Sequence, residues 1–328
     1  MRFGVISTAD IARVSVIPAI QASDHTVAAI ASRDATRAQA VADEVGIPRA
    51  YGDYASLLDD ERIDAVYNPL PNSLHAEWTK RAADAGLHVL CEKPLAVDAE
   101  QAAAVFDHCE DRGVTCMEAF MYRFHPRTQR VTAVVAQELG DVRSVTATFK
   151  FPLRNAPADV RLDPDLAGGC LMDVGCYAVS AARLFLGVPT RVYGSTTDTR
   201  ACGVDTELAA ILEYEDGAVA RVASGFDTQL VEGYRIDATN GWLEAESAFA
   251  PDPSQAVSIT YSVDGRKVTE RFDPVDHYRL EVEHFADCAD SAWTPRLDRA
   301  ETLGNMATID AIADSANSGD PVAVSVPE

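Results

Sequence analysis

Apolar and polar positions change rhythm about a third of the way along the chain. Up to about residue 120, short apolar runs alternate with segments of helical spacing. The runs are Phe3–Ile6, "TVAAIAS" ending at Ser32, "DAVYNPLPN" ending near Asn68, "HVLCEKPLA" stopped by Pro94, and "VTCMEAF". They are nearly continuous in apolar residues, as strands buried on both faces are. The helices predicted in the gaps run from Ala9 through Val16 and Ile20, over "DATRAQAVADEVG" to Gly46, over "HAEWTKRAADAG" to Gly86, and over "DAEQAAAVFDHCEDRG" from a cap at Asp98 to Gly113. Strand and helix in strict alternation predict a doubly wound parallel sheet of the Rossmann type.

After His125 the period shortens to two. A helix, "RTQRVTAVVAQEL", ends at Gly140, and alternating runs follow: "VRSVTATFKF", "TRVYGSTTDT", "TELAAILEYE", "AVARVASGFD", "GYRIDATNG", "AVSITYSV" and "KVTERFD". They predict a large, mostly antiparallel sheet with one face covered, with hairpin turns at "EDGA" and "VDGRK". A helix after Gly168 and Gly169 interrupts it, and helical spacing returns from His277 to Ser315. The expected architecture is α/β in residues 1–120 and α+β in residues 121–328, with the helices at about 277–315 packing back on the first domain. The open sheet face is the expected site of a homo-oligomeric contact, a dimer or tetramer.

Composition narrows the class. A chain of 328 residues, 47% hydrophobic and 24% charged, is long enough for two cores. It shows no basic-flanked N-terminal apolar stretch and no run approaching the roughly 18 apolar residues a membrane span needs, so the expectation is a cytoplasmic protein with no membrane partner. Seven scattered cysteines without a CxxC pair predict reduced thiols and no zinc framework. The net charge is -23, and only Lys80, Lys93, Lys150 and Lys267 among the 28 basic residues are lysines. Such a surface repels nucleic acid. An acid excess combined with lysine scarcity points to molar salt, where screening within about 3 Å makes self-repulsion tolerable; simple solubility is the plainer alternative.

The candidate chemistry lies where the strands of the first domain end, because ligands of open parallel sheets bind beyond the carboxyl ends. That edge comprises Ser7, Thr8, Ala9, Asp10, Ile11 and Ala12; Ser32 to Asp34; Asn68 to His75, including Pro69 and Asn72; Glu92 to Pro94; and Glu118 to Tyr122. A dinucleotide turn has three glycines, and here Ser7, Ala9 and Ala12 stand at their spacing. All are small, so a phosphate could still approach the helix N-terminus. Lys93 follows an apolar strand directly, and the Lys93–Pro94 bond could be cis. Asp173 and Tyr177 fall at i and i+4 on one helix face. Alone, the lysine reads equally as a strand end reaching water, and the pair as a core tyrosine beside an aspartate.

Taken together, "EKPLA", "MEAFMYRFHPRTQRV", "RLDPDLAGGCLMDVGCY" and "GVDTE" resemble the glucose-fructose oxidoreductase and inositol dehydrogenase family (Gfo/Idh/MocA), in its branch of sugar and dihydrodiol dehydrogenases. The four motifs occur in order over Arg2 to about Asp227. The resemblance implies Lys93 and Tyr177 as the catalytic pair and Asp173 as a supporting residue in the sugar pocket, with no metal. Many members carry histidine where Tyr177 stands; tyrosine fits the sugar-oxidising branch. Oxidising a sugar hydroxyl needs a base for its proton as hydride leaves; a phenol of ordinary pKa near 10 is a poor one, and a nearby ammonium favours its phenolate form.

The end of the second strand decides between cofactors. An acid there holds ribose hydroxyls, whereas arginine accommodates a 2′-phosphate. Ser32 and Arg33 occupy that corner, with Asp34 close behind, and the expectation is NADP over NAD. Arg123, His125 and Arg161 border the motifs as candidate sugar ligands, although Arg123 could pair with Glu118 and His125 could cap the helix after Pro126. His277, Glu281 and His284 have metal-ligand spacing; without a fourth ligand nearby, they are assigned to a solvated helix face. The expected activity is NADP-dependent oxidation of an aldose resembling D-xylose at C1 to a lactone. The alternatives are a trans-dihydrodiol dehydrogenase, a sugar-ketone reductase of the 1,5-anhydrofructose type, or a nucleotide-sensing protein without turnover.

Overall fold

The computed structural model describes residues 1–154, 159–291 and 293–328. Two compact units divide the chain: Met1–Met121 with Asp276–Thr302, and Tyr122–Val275 with Leu303–Glu328.

The first unit holds strands β1 (Arg2–Ile6), β2 (Thr26–Ala31), β3 (Ala50–Tyr51), β4 (Ala65–Asn68), β5 (His88–Glu92) and β6 (Cys116–Ala119). All pair in parallel, in the order β3-β2-β1-β4-β5-β6. Their apolar runs are buried on both faces: Val5, Ala29, Val66, Leu90 and Met117 have no exposed surface. The helices are α1 (Ile17–Gln21), preceded by a π turn at Ala12–Val16, then α2 (Ala35–Val45), α3 (Tyr54–Leu58), α4 (Asn72–Asp84) and α5 (Ala99–Asp111). Asp98 caps α5 through the Gln101 N–H, and Gly46 closes α2 in the left-handed region. Strand order reverses between β1 and β4, which puts Ser7–Ala12 and Asn68–His75 on either side of the switch point.

The second unit begins with α6 (Pro126–Gln137) and β7 (Val142–Lys150). A π turn at Leu171–Gly175 runs into α7 (Cys176–Leu186), followed by β8 (Arg191–Thr197), β9 (Glu207–Glu213), β10 (Val219–Gly225), β11 (Val231–Ala238), β12 (Gly241–Glu246), β13 (Val257–Val263) and β14 (Arg266–Phe272). Two further helices, α8 (His277–Ser291) in the first unit and α9 (Arg299–Ser318), precede the short β15 (Val322–Ala323). The sheet order is β14-β13-β12-β11-β7-β10-β9-β8-β15. It is antiparallel except where β10 runs parallel to β7. Helix α7 covers one face over β7 and β10; on the other, Tyr193 and Ile211 remain 45% and 43% exposed.

Three expectations need correction. The alternating runs omitted β12, which follows β11 after the two-residue Thr239–Asn240 turn, and β15, too short for any period to register. The face of α8 bearing His277 and Glu281 is not solvated. Both side chains are buried, because this helix packs on α1 and the π turn before it, and burial pushes the Glu281 carboxyl well above the usual range. Finally, Pro164–Leu186 is long and apolar enough in composition to span a bilayer, yet 72% of its apolar window is buried within the fold.

Candidate active site

The turn after β1 supplies the nucleotide edge. Ser7 has φ 140°, a region that favours glycine, so the first small residue occupies the backbone geometry of a fingerprint glycine. Its hydroxyl accepts the Ala9 N–H at 3.1 Å. Thr8 is buried, and Asp10 points to solvent beside Arg13. No side chain caps the π turn that begins at Ala12, while Ile11 stands at its N-cap position.

At the end of β2, Asp34 does not face the ligand corner. Its carboxylate is the N-cap of α2 and accepts the N–H groups of Thr36 at 2.8 Å and Arg37 at 3.2 Å. Ser32 is buried and its hydroxyl accepts the Asp34 N–H, while Arg33 is exposed. A further cation joins this corner: Arg37, in the first turn of α2, donates to the Thr8 carbonyl at 3.4 Å. Sequence reasoning missed Arg37. Its signal was the Asp34 cap, which places residue 37 at the third helical position, within reach of the strand end. The donor set is one hydroxyl and two guanidinium groups, with the nearby carboxylate consumed by a helix. That suits a phosphate-bearing ribose better than free ribose hydroxyls.

Beyond β4 and β5, His75 serves the scaffold. Its Nδ1 lies 2.7 Å from the Pro94 carbonyl and its Nε2 2.6 Å from the Leu70 carbonyl, and the one N–H of the neutral ring donates to one of the two. Burial lowers its pKa to about 4 against the opposite pull of both carbonyls. Expected as a cofactor contact, His75 is buried with its ring nitrogens against the carbonyls of Leu70 and Pro94. Pro69 is buried, whereas Asn72, at the start of α4, is partly exposed. Glu92 and Lys93 are both half-buried, and Lys93–Pro94 is cis. Tyr67, another residue the sequence did not single out, donates its hydroxyl to Glu92 Oε1 at 2.7 Å. Glu118 accepts the Leu95 N–H at 2.9 Å from the neighbouring strand end.

In the second unit, Asp173 lies in the π turn and Tyr177 in the first turn of α7. Arg161 Nε meets Asp173 Oδ2 at 3.1 Å and Arg161 Nη1 meets Asp159 Oδ2 at 3.2 Å, so the expected sugar ligands Arg161 and Asp173 form one charged cluster. Tyr177 is 4% exposed. Its ring sits among Phe149, Phe249 and Tyr122, with centroids 5.5, 5.7 and 6.0 Å away. Tyr122 is itself held by a 2.7 Å hydrogen bond to Ser180. This aromatic seat fixes the phenol's direction. His125 is buried and caps α6 by accepting the Arg127 N–H at 3.0 Å, and Arg123 is buried nearby. Among the described residues, no group of three or more metal-ligating side chains converges. His284 instead accepts the Arg296 N–H at 3.0 Å.

Comparisons with known proteins identify the family. Residues 1–120 match the oxidoreductase family with an NAD-binding Rossmann fold, and residues 128–244 match the GFO/IDH/MocA C-terminal domain. A D-xylose 1-dehydrogenase (NADP(+)) of Haloferax volcanii is 62% identical over 322 residues, covering 98% of this chain and 99% of that protein. A 3-ketoreductase from Actinomadura kijaniata, solved with NADP and TDP-benzene, superposes with a TM-score of 0.91 at 32% identity, over 96% of this chain and 97% of the other. An aldose-aldose oxidoreductase from Caulobacter crescentus, solved with glycerol, gives 0.90 at 26% identity over 98% and 99%. With both halves matched in order and a near full-length relative at this identity, the chain belongs to the Gfo/Idh/MocA oxidoreductase family.

Proposed function

We propose that this protein is an NADP-dependent sugar dehydrogenase that oxidises the C1 hydroxyl of an aldose, with D-xylose as the favoured substrate, to the lactone. The near full-length relationship to an NADP-dependent D-xylose 1-dehydrogenase supports the reaction. The observation that carries the site is the single helical turn presenting a phenol seated in aromatics one turn from a carboxylate held by Arg161. When bound, NADP supplies the hydride acceptor. Ser7, Thr8, Ala9, Asp10 and Ile11 would hold its pyrophosphate, Ser32, Arg33 and Arg37 its 2′-phosphate, and Glu92 and Lys93 the nicotinamide end.

Tyr177 takes the proton of the sugar hydroxyl, and Lys93 supplies the positive charge that favours phenolate. Asp173 and Arg161 accept and donate hydrogen bonds to the remaining hydroxyls. Two groups acting on one substrate show strongly non-additive losses when removed singly and together. A Lys93→Met, Tyr177→Phe and double-variant cycle therefore tests the pairing, and simple additivity would separate their roles.

An aldose panel with NADP in molar salt, followed by absorbance of the reduced cofactor, tests the reaction. Turnover led by D-xylose is expected. Oxidation of NADPH with keto-sugars alone would move the assignment to the sugar-ketone reductases; bound NADP without turnover on aldoses, diols or ketones would make the protein a nucleotide sensor.

The open sheet face supports a homodimer. Tyr193, Ile211 and Val219 are exposed there beside the small residues Thr146, Ser195 and Ala223, with Arg221 the charged side chain among them, on a chain of net charge -23. A second copy would bury the exposed apolar and small side chains of this strip. Tyr193→Asp should yield monomers by light scattering in molar salt, and a monomeric parent protein would overturn the contact. The cytoplasm suits a chain whose seven cysteines are free thiols.

A further inference from the structure

The "GVDTE" loop between β8 and β9 contributes a carboxylate with an unusual assignment. Asp205 Oδ2 accepts the Leu171 N–H at 2.7 Å and the Cys170 thiol at 3.0 Å. Its backbone carbonyl accepts the Cys170 N–H at 2.8 Å. One residue thus takes three donors from the segment that leads into the π turn bearing Asp173. Packing enforces the same registration. Gly169 has φ 113°, and a Cβ there would run into Asp205 Oδ1, so only glycine lets the carboxylate approach. From the other side, Ser224 of β10 donates to the Cys170 sulfur at 3.3 Å, and a Cβ on Gly175 would already lie 3.0 Å from the same hydroxyl. The thiol is buried and its pKa raised well above the ordinary value, first by burial and then by the Asp205 charge, so it remains a donor. The Gly169 N–H in turn donates to the Arg161 carbonyl at 2.8 Å. The clamp therefore reaches both members of the Arg161–Asp173 pair.

We propose that Asp205 is a positioning residue for sugar oxidation: it fixes Gly169–Leu171 so that Asp173, Arg161 and Tyr177 keep the register in which they meet the substrate. A carboxylate at the N-terminal N–H groups of a helix is electrostatically favoured and locks the first turn. A displacement of about 1 Å at a catalytic side chain can cost on the order of a hundredfold in rate. The proposal rests on the assignment of Tyr177 and Asp173 above.

Asp205→Ala and Asp205→Asn test it, read by kcat, KM, NADP binding stoichiometry, and the kinetic isotope effect with sugar deuterated at C1. Asp205→Ala should lower kcat about ten- to a hundredfold with full NADP stoichiometry, and should raise the isotope effect on kcat as the misplaced chemical step becomes rate-limiting. Asp205→Asn keeps an acceptor facing Leu171 and Cys170 and should recover most of the turnover. A residue that only holds the fold together would lower activity in proportion to NADP-binding protein and leave the isotope effect unchanged; that result overturns the proposal, as does parental kcat in Asp205→Ala. Where Asp205→Ala does not fold, Asp205→Ser, whose hydroxyl is too short to take both donors, decides: a lowered kcat with a raised isotope effect supports positioning, and an unchanged kcat and isotope effect overturn it. Near-normal turnover in Tyr177→Phe would remove the Tyr177 assignment by itself, whatever Asp205 shows.

Discussion

Two helices begin with a π turn, Ala12–Val16 in the first unit and Leu171–Gly175 in the second, and both turns carry or follow residues of the candidate site. Such turns are scarce in proteins and concentrate at functional positions. The residues leading into them differ. Ser7 to Ala9 form a turn of small and polar residues, and the π turn that follows has no side-chain cap. Gly169 to Leu171 are closed by Asp205, which already takes the Leu171 N–H. A helix N-terminus attracts an anion in either case. On the function proposed above, the first unit leaves that role to the phosphates of NADP, whereas the second fills it with its own carboxylate. In that proposal, nucleotide recognition and proton transfer use one backbone device in opposite ways.

The largest expected effect breaks the chemistry while sparing both turns. Tyr177→Phe should lower kcat by at least about a hundredfold with NADP affinity kept, measured by steady-state kinetics and fluorescence titration. Next comes the closed turn itself. Gly169→Ala places a Cβ at φ 113° against Asp205, which combines backbone strain with loss of a partly buried hydrogen bond to a carboxylate, for about 3 kcal/mol. Thermal melting in molar salt should show a fall of roughly 6–12 °C. An unchanged melt would mean that the carboxylate swings aside freely and that the second turn is no more closed than the first.

The parallel sheet was readable because runs such as "AVYN" and "HVLCE" are apolar without interruption, and because Asp98, Gly46 and Gly113 punctuate the helices chemically. The turn after β1 was readable for a subtler reason: small residues at fingerprint spacing can take a glycine's backbone, as the φ of Ser7 shows. The π turns were not readable, since nothing in "LMDVG" distinguishes one extra residue per turn from an ordinary helix. Nor were the partners of the site residues. His75 looked like a ligand contact because it sits at the strand edge, but its ring is turned inward onto two carbonyls. Asp34 looked ambiguous until its carboxylate was found on the N–H groups of α2. Side-chain direction, not strand order, was the missing information, and a pattern of residue types carries little of it.

The open turn is probed by charge. If Arg37 completes the 2′-phosphate site with Arg33, Arg37→Ala should weaken NADP binding about tenfold, the low end for an exposed charge-assisted contact, and leave NAD binding within about twofold. Isothermal titration with both nucleotides separates the outcomes. Equal losses for NADP and NAD would show that Arg37 supports the β1 turn through the Thr8 carbonyl rather than reading the phosphate.

The smallest effect concerns Ser7→Gly, the mirror image of Gly169→Ala. Relief of the φ 140° strain should gain about 1–3 kcal/mol. Against it stand the extra unfolded-state freedom of glycine, about 0.5–1 kcal/mol, and loss of the Ser7 hydroxyl to Ala9 N–H bond, about 0.5–1.5 kcal/mol. These terms nearly cancel, and the variant should melt within about 1 kcal/mol of the parent. Adding a Cβ at one turn would then cost several times what removing a whole side chain costs at the other. A large loss in Ser7→Gly would instead make that one hydroxyl the principal brace of the first turn, and the contrast of open and closed helix starts would give way to two turns each pinned by a single oxygen.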